Sequence, residues 1–93
     1  MKQIHSAVII GKKWFDKVNG NTYHTARIII NGGEADIKSP RQYGYGNSYI
    51  TTAAEIALDN EYSHDNMNRE QLREWLTAAA IIDETSVTRR RDL

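Results

Sequence analysis

No cysteine occurs in this chain. Disulfides and thiolate metal sites are therefore excluded, and the fold must hold by packing alone. The longest apolar run is Ala78 to Ile82, five residues. A membrane-spanning helix needs roughly 20. The opening MKQIHSAVII has neither a long apolar stretch nor a small-residue cleavage site, which argues against a secretory leader. These absences predict a soluble protein of the cytoplasm with no membrane partner. Proline is nearly absent too: Pro40 stands alone, so few strands or helices are interrupted by it.

The 93 residues suffice for one domain, predicted over 1–83, with 84–93 as a flexible basic tail ending in Arg89-Arg90-Arg91. A chain of this size buries somewhat over about 60% of its unfolded surface, an adequate core but not a generous one. Net charge is zero, yet its distribution is uneven. Residues 1–47 hold seven Lys/Arg against three Asp/Glu, or +4, and residues 48–93 balance this at −4. A basic sheet beneath acidic helices would follow. Such asymmetry suits either a charged partner or attraction between the layers.

Residues 4–17 read as a strand, with β-branched Ile4, Val8, Ile9 and Ile10 before aromatic Trp14 and Phe15. Asn19-Gly20 is the strongest turn signal in the chain, predicting a two-residue type I′ hairpin. Residues 21–31 form the second strand. Asn31-Gly32-Gly33 turns again, and 34–38 make a short third strand that Pro40 closes. A helix follows from about Tyr49 to Asn60, with Thr52 and Glu55 fitting a capping box and Ser48 an equally good start signal. After a polar connection at 61–67, Asn68 with Gln71 caps a second helix reaching about Ile82. Its apolar stripe is Leu72, Trp75, Leu76, Ala79 and Ala80. The expected class is α+β: a three-stranded antiparallel meander packed against two helices, in the order β-β-β-α-α.

A two-residue turn places Val18 opposite Asn21. Phe15 then faces His24, Lys13 faces Ala26, Gly11 faces Ile28 and Ile9 faces Ile30, on a mostly apolar and hence core side. The other side pairs Asp16 with Tyr23, Trp14 with Thr25, Lys12 with Arg27 and Ile10 with Ile29. Like charge opposite like charge disfavours burial there. Lys12, Trp14, Tyr23 and Arg27 are therefore expected on one open face. Aromatics among bases suit stacked nucleobases with held phosphates, and equally a protein hot spot.

Arg41, Tyr43, Tyr45 and Tyr49 interleave with glycines just before a helix. A glycine-rich turn at a helix start can hold an anion. YGYGNSY departs from GxGxxG at Tyr49, however, and no βαβ unit surrounds it, so no dinucleotide cofactor is expected. Tyr49 is expected buried, and Tyr43 or Tyr45 exposed. His5, His24 and His64 show no ligand spacing, so no metal is expected. His24 reads as a satisfied core histidine rather than a general base. No GxSxG elbow occurs, and the short chain leaves little room for a pocket of substrate size. Catalysis is not expected.

The run Trp14-Phe15-Asp16-Lys17, then Gly20-Asn21-Thr22-Tyr23-His24, then Tyr43-Gly44-Tyr45-Gly46 before an alanine-rich helix, resembles a group of small phage and prophage proteins. These share a W-F-(x)n-G-N-T-Y core and a Y-G-Y-G segment, and the resemblance spans residues 8–58. It implies a mobile genetic element in a bacterial host, and it transfers no functional residue. Small accessory proteins in that setting bind and block host machinery, including CRISPR defence complexes, or bind nucleic acid. The expectation is a non-catalytic phage-type protein that blocks a host defence effector, most concretely an anti-CRISPR. Its partner would be a host protein or ribonucleoprotein complex. Lys12, Trp14, Tyr23, Arg27, Arg41, Tyr43 and Tyr45 would make the contact. A nucleic-acid-binding module using the same face is the alternative. The acidic helices, with Glu55, Asp59, Glu61, Glu70 and Glu74, offer a second surface that imitates phosphates.

Overall fold

The computed structural model describes residues 1–93. The chain forms β1 (Lys2–Gln3), β2 (Ala7–Asp16), β3 (Asn21–Ile30), β4 (Ala35–Lys38) and β5 (Gln42–Tyr43). There follow α1 (Ser48–Asp59), β6 (Tyr62–Ser63), α2 (Arg69–Ala79), β7 (Ile81–Val87) and a short 3-10 turn at Arg90–Asp92. The class is α+β with two helices. The sheet is larger and more mixed than a meander. Its order is β4-β3-β2-β7, with β5 also pairing to β3, and β7 runs parallel to β2. A separate parallel pair joins β1 to β6. No helix is long and apolar enough to cross a membrane.

Why the hairpin departs from a two-residue turn is visible at Asp16. Its Oδ1 accepts from the Val18 N–H at 3.0 Å and the Asn19 N–H at 3.3 Å, and its Oδ2 accepts from Asn19 Nδ2 at 2.8 Å. An Asx-type turn of this kind competes with strand pairing. Gly20, at φ 71°, closes the loop by donating its N–H to the Asp16 carbonyl at 2.7 Å. Asp16 now opposes Asn21, and residues 17–20 form the loop. The register therefore shifts by two from the expected one. Trp14 lies opposite Tyr23, Lys12 opposite Thr25, Ile10 opposite Arg27, Lys13 opposite His24 and Phe15 opposite Thr22. Because side chains alternate with period two, a shift of two leaves each on its expected face.

One sheet face presents Ala7, Ile9, Ala26, Ile28 and Ile30 to the core. From α1 come Tyr49, Ile50, Ala53, Ala54 and Ala57, and from α2 Leu72 and Leu76. The small alanines let α1 lie close on β2 and β3, while α2 packs on α1. The closest approach is at Gly11, where a Cβ would stand 2.4 Å from the Tyr49 ring. Phe15, expected on the core side, is 54% exposed. It points to the helical side but lies past His24, which α1 reaches through Thr52.

Helix ends differ from expectation in instructive ways. At α2 the Asn68–Gln71 capping box forms as read. At α1 the N-cap is Asn47, which makes no side-chain cap, and Thr52 bonds to His24 instead of capping. Asn47 Oδ1 accepts from Arg73 Nη2 at 3.0 Å, tying the start of α1 to α2. Helix α2 stops at Ala79, not Ile82, because Ala80 turns extended (ψ 152°). Ile81 and Ile82 are β-branched, and they join β2 as the start of β7. The region read as a tail from 84 is thus strand as far as Val87. Gly11→Ala is expected to cost about 1–3 kcal/mol by overpacking, seen as a lower urea midpoint. An unchanged midpoint would contradict the Tyr49 contact.

Candidate functional site: the helix-free sheet face

The alternation of β2 and β3 puts Ile10, Lys12 and Trp14 beside Tyr23, Thr25 and Arg27, on the face opposite α1. Pairing of β5 with β3 sets Tyr43 against Tyr23, and β4 sets Lys38 against Arg27. The Trp14 and Tyr23 rings stack at 5.9 Å with 26° between planes, and Tyr43 meets Tyr23 edge-on at 5.7 Å. Arg41 places its guanidinium 5.4 Å from the Tyr23 ring centroid. An exposed cation–π contact of this kind is worth about 0.5–1 kcal/mol. Trp14 and Tyr23 are half-buried, while Tyr43 is 65% exposed. These rings form a continuous aromatic run on a rigid sheet.

Of the seven expected contact residues, Lys12, Trp14, Tyr23, Arg27, Arg41 and Tyr43 thus belong to one face. Tyr45 does not join them. It is 74% exposed on the loop before α1, makes no ring contact, and gives its carbonyl to Ser48 Oγ at 2.7 Å. Lys12 and Arg27 are not directly opposed, so the like-charge pair disappears. Arg27 instead pairs with Asp36 across the strands, Nε to Oδ1 at 2.7 Å. That bond, with the charge, holds the Asp36 carboxyl below its ordinary value and raises Arg27 above its own. Lys12 has no carboxylate within ion-pair reach. Thr25, expected on this face, and Lys38, which was not, complete it. Lys38 could be placed beside Arg27 only once the β4 register was known.

The opposite face is occupied by structure. His24 is 2% exposed. Its Nδ1 lies 3.2 Å from the Gly44 carbonyl, and its Nε2 lies 2.7 Å from the Thr52 hydroxyl. Both nitrogens are consumed in pinning the tyrosine loop to the sheet and α1. Tyr49 is buried, and its hydroxyl is pushed up to about 12, by desolvation first and then by Glu84. Glu84 also takes Lys13 Nζ at 3.2 Å and is held below its ordinary value by both partners. Among the acidic helix residues, Glu55 pairs with Arg69 at 3.1 Å. Compared with protein-family models, curated proteins and solved structures, the chain matches none.

The loop at Asp16 aligns Trp14 with Tyr23, and its chemistry gives a pH signature. The Asn19 side-chain amide, then the N–H groups of Asn19 and Val18 and the charge of Arg90, outweigh desolvation and lower Asp16 below its ordinary 3.8. A depressed folded value stabilises above the ordinary value and is lost as pH falls through the folded one. Asp16→Ala is expected to melt a few degrees below the parent protein at pH 7. The gap should close as the medium is acidified below 3.8. Thermal melts with a gap independent of pH would refute the role of the ionised carboxylate.

Proposed function

We propose that this is a non-catalytic, phage-type binding protein that occupies and blocks a host defence effector, most concretely an anti-CRISPR acting in the bacterial cytoplasm. One observation carries this reading. Trp14, Tyr23 and Tyr43 form a contiguous aromatic run on the sheet face that the helices leave uncovered, with Arg41 over the central ring. Trp, Tyr and Arg dominate the energetics of macromolecular contacts, and rings already ordered by a sheet lose little entropy on binding. Lys12 and Arg41, free of carboxylate partners, would steer an acidic or nucleic-acid-bearing partner toward the face. The non-catalytic part of the reading is supported by His24, whose two nitrogens are both engaged in holding the fold. The phage setting rests on the shared W-F, G-N-T-Y and Y-G-Y-G segments.

The test is capture of an effector from host lysate by the tagged full chain, paired with inhibition of that effector's activity. Arg41 and Tyr43 are exposed, so the double variant Arg41→Ala/Tyr43→Ala should fold normally by circular dichroism. It is expected to lose affinity by about tenfold or more. Equal capture by parent and variant would remove the face from the proposal. A lysate that yields no specific effector would remove the function.

A further inference from the structure

Beside the aromatic run the helix-free face sinks into a depression of about 140 Å³, lined by Ile10, Lys12, Thr25, Arg27 and Lys38. Three of the five are cations and one is a hydroxyl. The carboxylate of Asp36 engages Arg27 through Nε and Nη2. A guanidinium has five N–H donors, so Arg27 is oriented by Asp36 without being saturated. Asp83 sits on the same face beside Ile10 but forms no ion pair with Lys12. Lys38 Nζ already takes one oxygen, the Leu93 carbonyl at 3.4 Å. For that contact the chain beyond Val87, which lies beside Trp14 on the edge strand, must pass over the helix-free face to β4. Thr25, on that face, is only 6% exposed.

We infer that Lys12, Thr25, Arg27 and Lys38 form a phosphate-group site for single-stranded nucleic acid, with the Trp14–Tyr23–Tyr43 rings stacking the adjoining base. The inference rests on the reading of this face as the contact surface and names its ligand chemistry. Two features single out nucleic acid. Three cations and no carboxylate line the pocket. Thr25 and Tyr23, two residues apart on one strand, are about 7 Å apart, a span that one nucleotide covers between phosphate and base. Backbone contacts position the strand, and the rings accept any base, so recognition is tolerant of sequence. The Leu93 oxygen holds the place that a phosphate oxygen takes, and binding displaces it.

The experiment is fluorescence anisotropy of a labelled oligothymidylate with the full chain across a salt series. Three phosphate-facing cations predict a log–log salt slope of about −2 for a single strand. Lys12→Gln and Lys38→Gln should each weaken binding and reduce the slope by about 0.7. Lys2→Gln, on the β1 edge, should leave both unchanged. Quenching of Trp14 fluorescence should accompany binding, and exchange of the Asp92 and Leu93 amides should quicken. No binding at the lowest salt, or binding indifferent to Lys12 and Lys38, overturns the site. Displacement by millimolar inorganic phosphate at constant ionic strength would make the free ion the ligand instead. Equal binding of polyglutamate with the same lysine dependence would make it an acidic protein. Either result overturns the nucleic-acid assignment. Effector capture that persists in nuclease-treated lysate while the oligonucleotide fails would refute this site alone and leave the effector reading standing.

Discussion

The contact between the Tyr49 ring and the bare backbone of Gly11 positions everything else. A side chain of any size at Gly11 would occupy the ring's space, so α1 could not settle on β2 at its present depth. Ala53, Ala54 and Ala57 continue the same close approach along the helix. The Tyr49 hydroxyl faces Glu84 on β7, and Glu84 in turn binds Lys13 on β2. Three elements distant in sequence therefore meet at one residue. With α1 fixed on the inner face, the outer face is left for other uses.

That division also explains where the charges fall. On the inner face Lys13 has a carboxylate to hold. On the outer face Lys12 and Lys38 have none, and Arg27 has one. Asp16, Asp36 and Asp83 share that outer face, and of the three only Asp36 pairs with one of its cations. The two halves of the chain, one basic and one acidic, become two sides of the folded molecule only in part, since β7 brings Asp83 and Glu84 to the edge of the basic sheet.

Much of this was readable from residue order. Periodicity found both helices, the Asn68–Gln71 box, the buried Tyr49 and the two faces of the hairpin. The face assignment survived a wrong turn because the error was two residues, which preserves alternation. The turn itself was misread because Asn19-Gly20 is a strong local signal, and the competing signal, Asp16 folding back on Val18 and Asn19, depends on geometry that spacing does not show. β7 was missed for a different reason. IIDETSV has no strict alternation, and its pairing partner lies more than sixty residues earlier. A parallel edge strand gains its order from the neighbour it meets rather than from its own pattern. Lys38 is not legible as part of the face because its place there comes from a cross-strand neighbour, Arg27.

The position of β7 has a consequence for how the molecule is made. Strand β2 spans Ala7–Asp16, and its partner on the outer side comes from Ile81–Val87. The hairpin can form as soon as its own residues are available, but one edge of β2 then stays open, with its N–H and C=O groups unanswered. Such an edge invites pairing with foreign strands. Closing it requires a contact of long sequence separation, the kind that slows folding. During synthesis β2 therefore waits for β7, made more than sixty residues later, before that edge is closed.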